Sequence, residues 1–236
     1  MSAGTTDQTA GEGRPRRGDP NRRSPRIDPG EVAQAHRLVE AISRTFDSKV
    51  VGQEALRTAL LVGLIGGGHV LLESVPGLAK TRAVKAMASA LAADFTRVQF
   101  TPDLMPADIL GSEVLETGAD GTRAFKFIPG PIFCQLLMAD EINRASPRTQ
   151  SALLQAMQEQ HITIAGARHD LPKPFHVLAT QNPLEQEGTY PLPEAQLDRF
   201  LFKVEVPGVD ASVMTRILGE RRRGQPPAQD AVLTAA

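Results

Sequence analysis

Four polar groups, set into an otherwise apolar pattern, are the residues of this sequence best equipped for chemistry. The first is the run Ser74-Val75-Pro76-Gly77-Leu78-Ala79-Lys80-Thr81, which follows the apolar stretch HVLLE at 69–73. A loop that binds phosphate needs backbone N–H groups turned towards the anion at a helix start, a Lys on the outer phosphates and a hydroxyl for Mg2+. Lys80 and Thr81 supply the last two. Both defining glycines of the pattern G-x-x-x-x-G-K-[ST] are replaced, by Ser74 and Ala79. Taken alone, a Lys-Thr pair after a loop is more often just a helix start. Ala79 is the easier replacement, because a residue entering a helix has negative φ and a methyl costs little there. Ser74 carries a cost of roughly 1–2 kcal/mol if its position requires a left-handed backbone, and is harmless if φ stays negative.

The second group is Asp140-Glu141, reached through the apolar residues of QLLMADE. A buried strand whose end presents two carboxylates suits a phosphate-binding enzyme: the first carboxylate holds Mg2+, often through water, and the second polarises the attacking water. The bland alternative is an acidic strand terminus at the surface. The third is Asn182, which ends FHVLATQN and could orient a water between the sheet and a γ-phosphate; Asn before Pro183 is otherwise an ordinary turn residue. The fourth is Arg199 in Leu197-Asp198-Arg199-Phe200. In isolation it is a surface arginine. After the other three it reads as a finger reaching a neighbouring subunit's nucleotide, a device worth about 10³–10⁵ in rate.

These groups need a scaffold, and the hydrophobic pattern describes one. Val32, Leu38, Val39, Ile42 and Phe46 form a helical stripe, and a second helix is expected over 53–64. GGG at 66–68 breaks the chain before the strand at 69–73. A helix over about 80–92, a short strand at 97–100, a turn-rich segment from Thr101 to Pro131 and a buried strand at 135–139 follow. Pro147 is well placed to start a helix running to about 160. HITIAG at 161–166 alternates like half of a hairpin; 175–180 is a strand, 194–198 a short helix, and 201–206 the last strand. Apolar strands separated by helices indicate an α/β fold, a mostly parallel sheet covered on both faces.

Composition bounds the function. Hydrophobic residues make up 41% of the 236, enough for one sizeable domain with a real core. Aromatics are only 4%, which argues against base stacking, and a net charge of −1 gives no global field for nucleic acid or anionic membrane. The single cysteine, Cys134, lies in an apolar run and reads as a small buried side chain. No stretch has the length of a membrane span and the N-terminus lacks a signal-peptide core, so a cytoplasmic setting is expected. Residues 1–28 carry six arginines against four acids and almost no large apolar side chain, the composition of a disordered basic tail.

The stretches HVLLESVPGLAKT, QFTPDLMPADILGSE, PGPIFCQLLMADEINRASPRTQSALLQAMQE and LATQNPLEQEGTYPLPEAQLDRFL resemble the MoxR family of AAA+ ATPases, from about Glu31 to Val206. The resemblance implies an AAA+ core over 29–208 that binds ATP with Mg2+ and hydrolyses it. By it, Lys80 and Thr81 are the Walker A pair, Asp140 and Glu141 Walker B, Asn182 sensor 1 and Arg199 the arginine finger. Ala79 is ordinary for the family and Ser74 departs from its usual Gly. Val51-Gly52-Gln53 matches the segment that contacts adenine. The region from Thr101 to Pro131 matches the helix-2 insert and HITIAG the hairpin before sensor 1, both of which face the ring pore in this clade. The family also implies a homo-oligomeric, hexameric ring, chaperone-like maturation or metal-cofactor insertion, and partners with von Willebrand factor A domains.

One departure stands out. Family members continue into a helical lid with a sensor 2 arginine, whereas here only 210–223 offers a first lid helix, and 209–236 reads as a lid remnant with a disordered tail. A truncated member, a fragment or a variant with a compromised lid is expected, which bears on turnover more than on binding. The competing reading is therefore an assembly module that binds ATP but barely hydrolyses it. Nucleic-acid and GTP motors are disfavoured, the latter because no N-K-x-D-type motif occurs.

Overall fold

The computed structural model of this chain describes residues 28–50, 53–73, 80–118, 121–183 and 188–205. Its elements are α1 (Pro29–Lys49), α2 (Glu54–Ile65), β1 (Val70–Glu73), α3 (Lys80–Leu91), β2 (Phe95–Gln99), α4 (Pro106–Leu110), β3 (Gly111–Thr117), β4 (Arg123–Pro129), β5 (Leu136–Asp140), α5 (Pro147–Glu159), β6 (His161–Ile164), β7 (Ala167–Asp170), β8 (His176–Gln181), α6 (Glu194–Leu197) and β9 (Phe202–Glu205). The segments 1–27 and 206–236, in which the basic tail and the lid remnant were expected, lie outside the described residues.

Five strands form one sheet in the order β2-β5-β8-β1-β9, and every pairing in it is parallel. Parallel neighbours must be entered from the same end, so the chain returns across the faces in helices. The strands are too apolar for one wet face. Because side chains alternate, Val70, Leu72, Leu136, Met138 and Leu178 pack with Ile42 and Phe46 of α1, Leu56 and Leu60 of α2, and Val84 and Met87 of α3. Leu71, Leu137, Ala139, Val177 and Ala179 face the other way, onto Leu153, Leu154 and Met157 of α5. Cys134 lies buried in that second layer, and its burial raises the thiol pKa above its ordinary value.

Local chemistry sets the helix starts. The Asp28 carboxylate accepts from the Gly30 N–H at 3.1 Å and caps α1, with Pro29 in the first turn. Ser146 caps α5 by accepting from the Thr149 N–H at 3.4 Å, with Pro147 as the first helical residue.

The expectation of a turn-rich stretch from Thr101 to Pro131 is corrected: it holds α4 and an antiparallel hairpin of β3 on β4. Most side chains of that hairpin are exposed on both faces, so no buried period-2 signal marks its strands. Two glycines close its base. A Cβ on Gly111, whose φ is +99°, would lie 2.3 Å from the Ile128 carbonyl oxygen, and one on Gly130 would lie 2.2 Å from that of Ile109. The half-hairpin read from HITIAG is completed by β7 on β6. The two hairpins meet where Phe127 stacks on His169, with ring centroids 3.9 Å apart.

At the N-terminal edge of the sheet, His69 and His176 are buried. The Val177 N–H donates to His69 Nδ1 at 2.9 Å, while His69 Nε2 lies 3.2 Å from the Met157 carbonyl oxygen. That pairing suits a neutral ring with its proton on Nε2. Burial is the main cause that lowers both imidazole pKa values, and each His makes a backbone bond that opposes it.

A buried imidazole held neutral makes acid destabilising, because the unfolded chain takes up a proton that the folded one refuses. The stability from this source is complete above pH about 6.5, the ordinary histidine value, and is lost as pH falls below it. Chemical denaturation from about pH 7 to about pH 5 should show that loss. His69→Asn, which keeps a short acceptor near Val177 but cannot titrate, should show a shallower slope; equal slopes would remove His69 as a source.

Candidate functional site

The C-terminal ends of neighbouring parallel strands are where this fold exposes polar groups. Glu73 ends β1, Asp140 ends β5, and Asn182 follows the last residue of β8. Register sets them side by side: Ala139 pairs with Ala179, so Asp140 is level with Thr180, and Glu73 pairs with Gln181. Lys80 and Thr81 are the first two residues of α3, which enters after β1 and packs against β5. The intervening residues Ser74, Val75, Pro76, Gly77, Leu78 and Ala79 lie outside the described residues, as do Val51 and Gly52. Gln53 is buried just before α2, and its carbonyl accepts from the Arg57 N–H at 2.9 Å.

Asp140 is 7% exposed, and a carboxylate so buried needs hydrogen-bond donors. The Thr180 hydroxyl donates to its Oδ1 at 2.5 Å. Arg97, on β2, donates to Oδ2 from Nε at 3.0 Å and from Nη2 at 2.6 Å. Thr180 Oγ1 also accepts from the Glu141 N–H at 2.8 Å, so one hydroxyl holds both acidic residues. Glu141 has φ 57° and ψ 50°, a left-handed conformation that costs a non-glycine residue roughly 1–2 kcal/mol. It follows β5 and caps the short 3₁₀ turn Ile142–Arg144. Gln150 of α5 steadies this turn by donating to the Ile142 carbonyl at 3.1 Å and the Tyr190 carbonyl at 2.8 Å.

The Glu141 carboxylate is in turn held by Gln99 Nε2, at 2.8 Å, and Arg144 Nη1, at 3.2 Å. Asn143 donates to the Asn182 carbonyl at 3.4 Å, and its own Oδ1 is buried without a protein partner. Lys80 is buried as well. Burial lowers its pKa, and the negative charges of Asp140 and Glu141 act in the opposite sense without cancelling the effect. On β1, Glu73 accepts from Gln181 Nε2 at 2.9 Å and from Lys203 Nζ at 2.5 Å. Desolvation is the largest single influence on Glu73 and raises its pKa, but the two hydrogen bonds and the Lys203 charge together outweigh it and lower the pKa.

The donor set can be tested against the divalent cation that the loop chemistry implies. Among the described residues no group of three or more His, Cys, Asp or Glu side chains converges. Mg2+ does not require one: it is commonly held by one or two carboxylates, waters and substrate phosphate oxygens. A buried carboxylate on β5 and a hydroxyl at the start of α3 are hard oxygen donors of that kind, so Asp140 and Thr81 fit.

Arg199 is not brought to this site. It precedes β9, and the Leu201 N–H beyond it donates to the His69 carbonyl at the opposite, N-terminal edge of the sheet. A parallel strand of four or five residues separates the two edges, about 13–17 Å. There Arg199 lines a cavity of about 310 Å3 with Gln155, Gln158 and Glu159 of α5 and with Gln196. Reading the sequence for motifs missed Arg97, Gln99, Thr180 and Arg144, which make most of the contacts to the two carboxylates. The alternation of RVQF was the available signal for the first two, since it sets Arg97 and Gln99 on one side of β2.

Comparison with known proteins bears on what this arrangement is. Residues 69–202 match the model of the ATPase family associated with various cellular activities (AAA). The chain is 51% identical over 179 residues to Chaperone MoxR1 of Mycobacterium tuberculosis, covering 75% of this chain and 46% of that protein. Protein MoxR of Methylorubrum extorquens is 33% identical over 166 residues, covering 68% of this chain and 47% of that protein. The chain belongs to the MoxR family of AAA+ ATPases. It spans about half the length of these curated relatives. The crystal structure of a protein from Cytophaga hutchinsonii described as a candidate ATPase superposes with a TM-score of 0.74 at 39% identity, covering 86% of this chain and 63% of that one. The MoxR-type core is thus an α/β P-loop fold, as the apolar strand pattern implied. Among its described residues no helix is long and apolar enough to cross a membrane.

Thr180 is the test of how the MoxR-type site is held. Thr180→Val removes the donor to Asp140 and the acceptor for the Glu141 N–H, both in a buried setting. Urea denaturation should show a loss of about 2–4 kcal/mol, the cost of two stranded polar groups, and Thr180→Ser should restore most of it. A Val variant as stable as the parent would refute the bridging role.

Proposed function

We propose that the chain binds ATP with Mg2+ at the C-terminal edge of the sheet and hydrolyses it within a ring of like subunits, as a MoxR-like remodelling factor. The observation that carries this reading is that Asp140, Glu141 and Asn182 emerge at the C-terminal ends of the adjacent parallel strands β5 and β8, with Lys80 at the start of α3 close enough to feel the charges of both acids. Ligands of open α/β sheets bind in that crevice.

Each residue has a distinct task under this reading. Lys80, at the N-terminus of α3, meets the outer phosphates with its ammonium, and the helix end favours the same negative charge. Asp140 and Thr81 are the residues that would hold Mg2+, whose chemistry is to neutralise charge on the β- and γ-phosphates. Glu141 polarises the attacking water and accepts its proton, and Asn182 orients that water against the γ-phosphate. Val51, Gly52 and Gln53 border the adenine, and Ser74 to Ala79 wrap the phosphates. Arg199 sits at the far edge of its own sheet, which favours a role in the neighbouring subunit's site, where its charge would stabilise the transition state.

The AAA+ family generally supports an oligomer, and a hexamer is the arrangement proposed. A partner carrying a von Willebrand factor A domain, a client matured or loaded with cofactor, and a cytoplasmic setting belong to the same proposal. A domain plan of a basic tail over 1–28, a core over 29–208 and the beginning of a lid over 209–236 completes it. A module that assembles with ATP but barely turns it over is the second reading, favoured by the replacement of the usual loop glycine with Ser74.

Hydrolysis per subunit should rise with protein concentration and vanish in Glu141→Gln, which retains ATP binding; a flat rate at background would select the assembly module. Lys80→Ala should lower ATP affinity at least tenfold in a fluorescent-nucleotide titration, the loss of a charged phosphate contact. Undiminished affinity would sink the phosphate assignment. Arg199→Ala should bind normally and hydrolyse poorly, with a rate recovered on mixing with Lys80→Ala subunits. An unimpaired Arg199→Ala rate would remove the finger.

A further inference from the structure

Arg97 belongs to no part of the function above, yet it is the one charged partner that the described residues bring onto Asp140. Its Nε and Nη2 both converge on Asp140 Oδ2, at 3.0 and 2.6 Å. A carboxylate oxygen offers two lone pairs, so Oδ2 is saturated by these two donors. Oδ1 is shared with the Thr180 hydroxyl at 2.5 Å. The carboxylate best suited to a divalent cation is thus occupied by a monovalent one that the chain itself provides.

Arg97 is also free to leave in a way that Thr180 is not. Thr180 is fully buried on a central strand, whereas the Arg97 side chain is 40% exposed against 10% for Asp140. Its strand, β2, is the edge of the sheet, and Gln99 Oε1 gives Nη2 a second acceptor nearby. A guanidinium swinging towards solvent keeps its charge hydrated, while a divalent ion arriving at Asp140 repels it. The two cations therefore compete for one buried carboxylate.

We propose that Arg97 is a built-in surrogate for the metal: it neutralises Asp140 when no nucleotide is bound and is displaced by Mg2+ arriving with ATP, so that it sets how strongly nucleotide binding depends on the metal. The inference rests on the Mg2+–ATP reading of this site. It assigns Arg97 as a positioning residue that aligns the Asp140 carboxylate, and the same contact weakens metal affinity. If Asp140 is held by Arg97 nine-tenths of the time, the apparent affinity for the metal-bound nucleotide falls about tenfold.

The test is a fluorescent ATP analogue titrated onto the full chain in EDTA and in saturating Mg2+, for the parent and for Arg97→Gln. The ratio of the two dissociation constants is the gain from the metal. That gain should rise about tenfold in Arg97→Gln, because only the metal-bound nucleotide must displace the guanidinium. Arg97→Lys, which keeps a charge but loses the two-donor fork, should fall between and serves if the Gln variant does not fold. In an Asp140→Asn background the effect of Arg97→Gln should disappear, as expected of a direct pair. Electron paramagnetic resonance of Mn2+ with the same nucleotide should report the same order of metal retention. An unchanged or smaller gain in an Arg97→Gln variant with native circular dichroism, alongside a parent that binds nucleotide with Mg2+, overturns the surrogate alone. A parent with no metal-dependent nucleotide binding overturns the site reading and the surrogate together, and is visible before any variant is made.

Discussion

Asp140 is a carboxylate at the end of a fully buried strand, and the site is organised around supplying its oxygens with hydrogen-bond donors there. A buried carboxylate without donors would be costly in such a place. Here it is met from both neighbouring strands, by Thr180 of β8 and Arg97 of β2. Those contacts exist only because β2, β5 and β8 are adjacent and in one register. A slip of one residue in either pairing would turn the donor to the opposite face and leave the charge alone. The apolar layers that fix the register, Leu137 and Ala139 on one side and Leu136 and Met138 on the other, are therefore as much part of the site as its polar residues.

Charge balance extends outwards from that point. Lys80 is buried at the start of α3, where its ammonium is disfavoured by burial and supported by the two acids. Glu141 adopts a backbone conformation that is costly for it, and the Thr180 hydroxyl, the Arg144 N–H and the Gln150 amide hold the turn in place. Strain at one residue persists only where the surroundings over-determine it. Among the described residues the polar contacts at this edge connect five strands, from Arg97 on β2 to Lys203 on β9. The opposite edge is different in kind: it carries the neutral pair His69 and His176, and Arg199 in a glutamine-lined cavity. A parallel sheet separates its two ends by the length of a strand, and that distance assigns Arg199 to a different space from Lys80 and Asp140 within one chain.

The layered α/β class, the order of most elements and the residue types at the strand tips are legible in the amino-acid pattern alone. Apolar runs such as HVLLE and QLLMADE cannot be left in water, and the polar residues that end them must emerge at an edge. Motif spacing likewise singled out Lys80, Thr81, Asp140, Glu141, Asn182 and Arg199, and the stretches that carry the MoxR resemblance. Where burial left no alternation, the pattern was silent: β3 and β4 are exposed on both faces and read only as turns. What the tertiary structure alone decided was adjacency. That Arg97 and Gln99 lie on the two carboxylates, that Thr180 bridges them, and that Arg199 stands at the other end of the sheet all depend on the order β2-β5-β8-β1-β9. Strand order is a property of long-range packing between residues some forty positions apart, and local periodicity, which reports only the face a side chain takes, carries no trace of it.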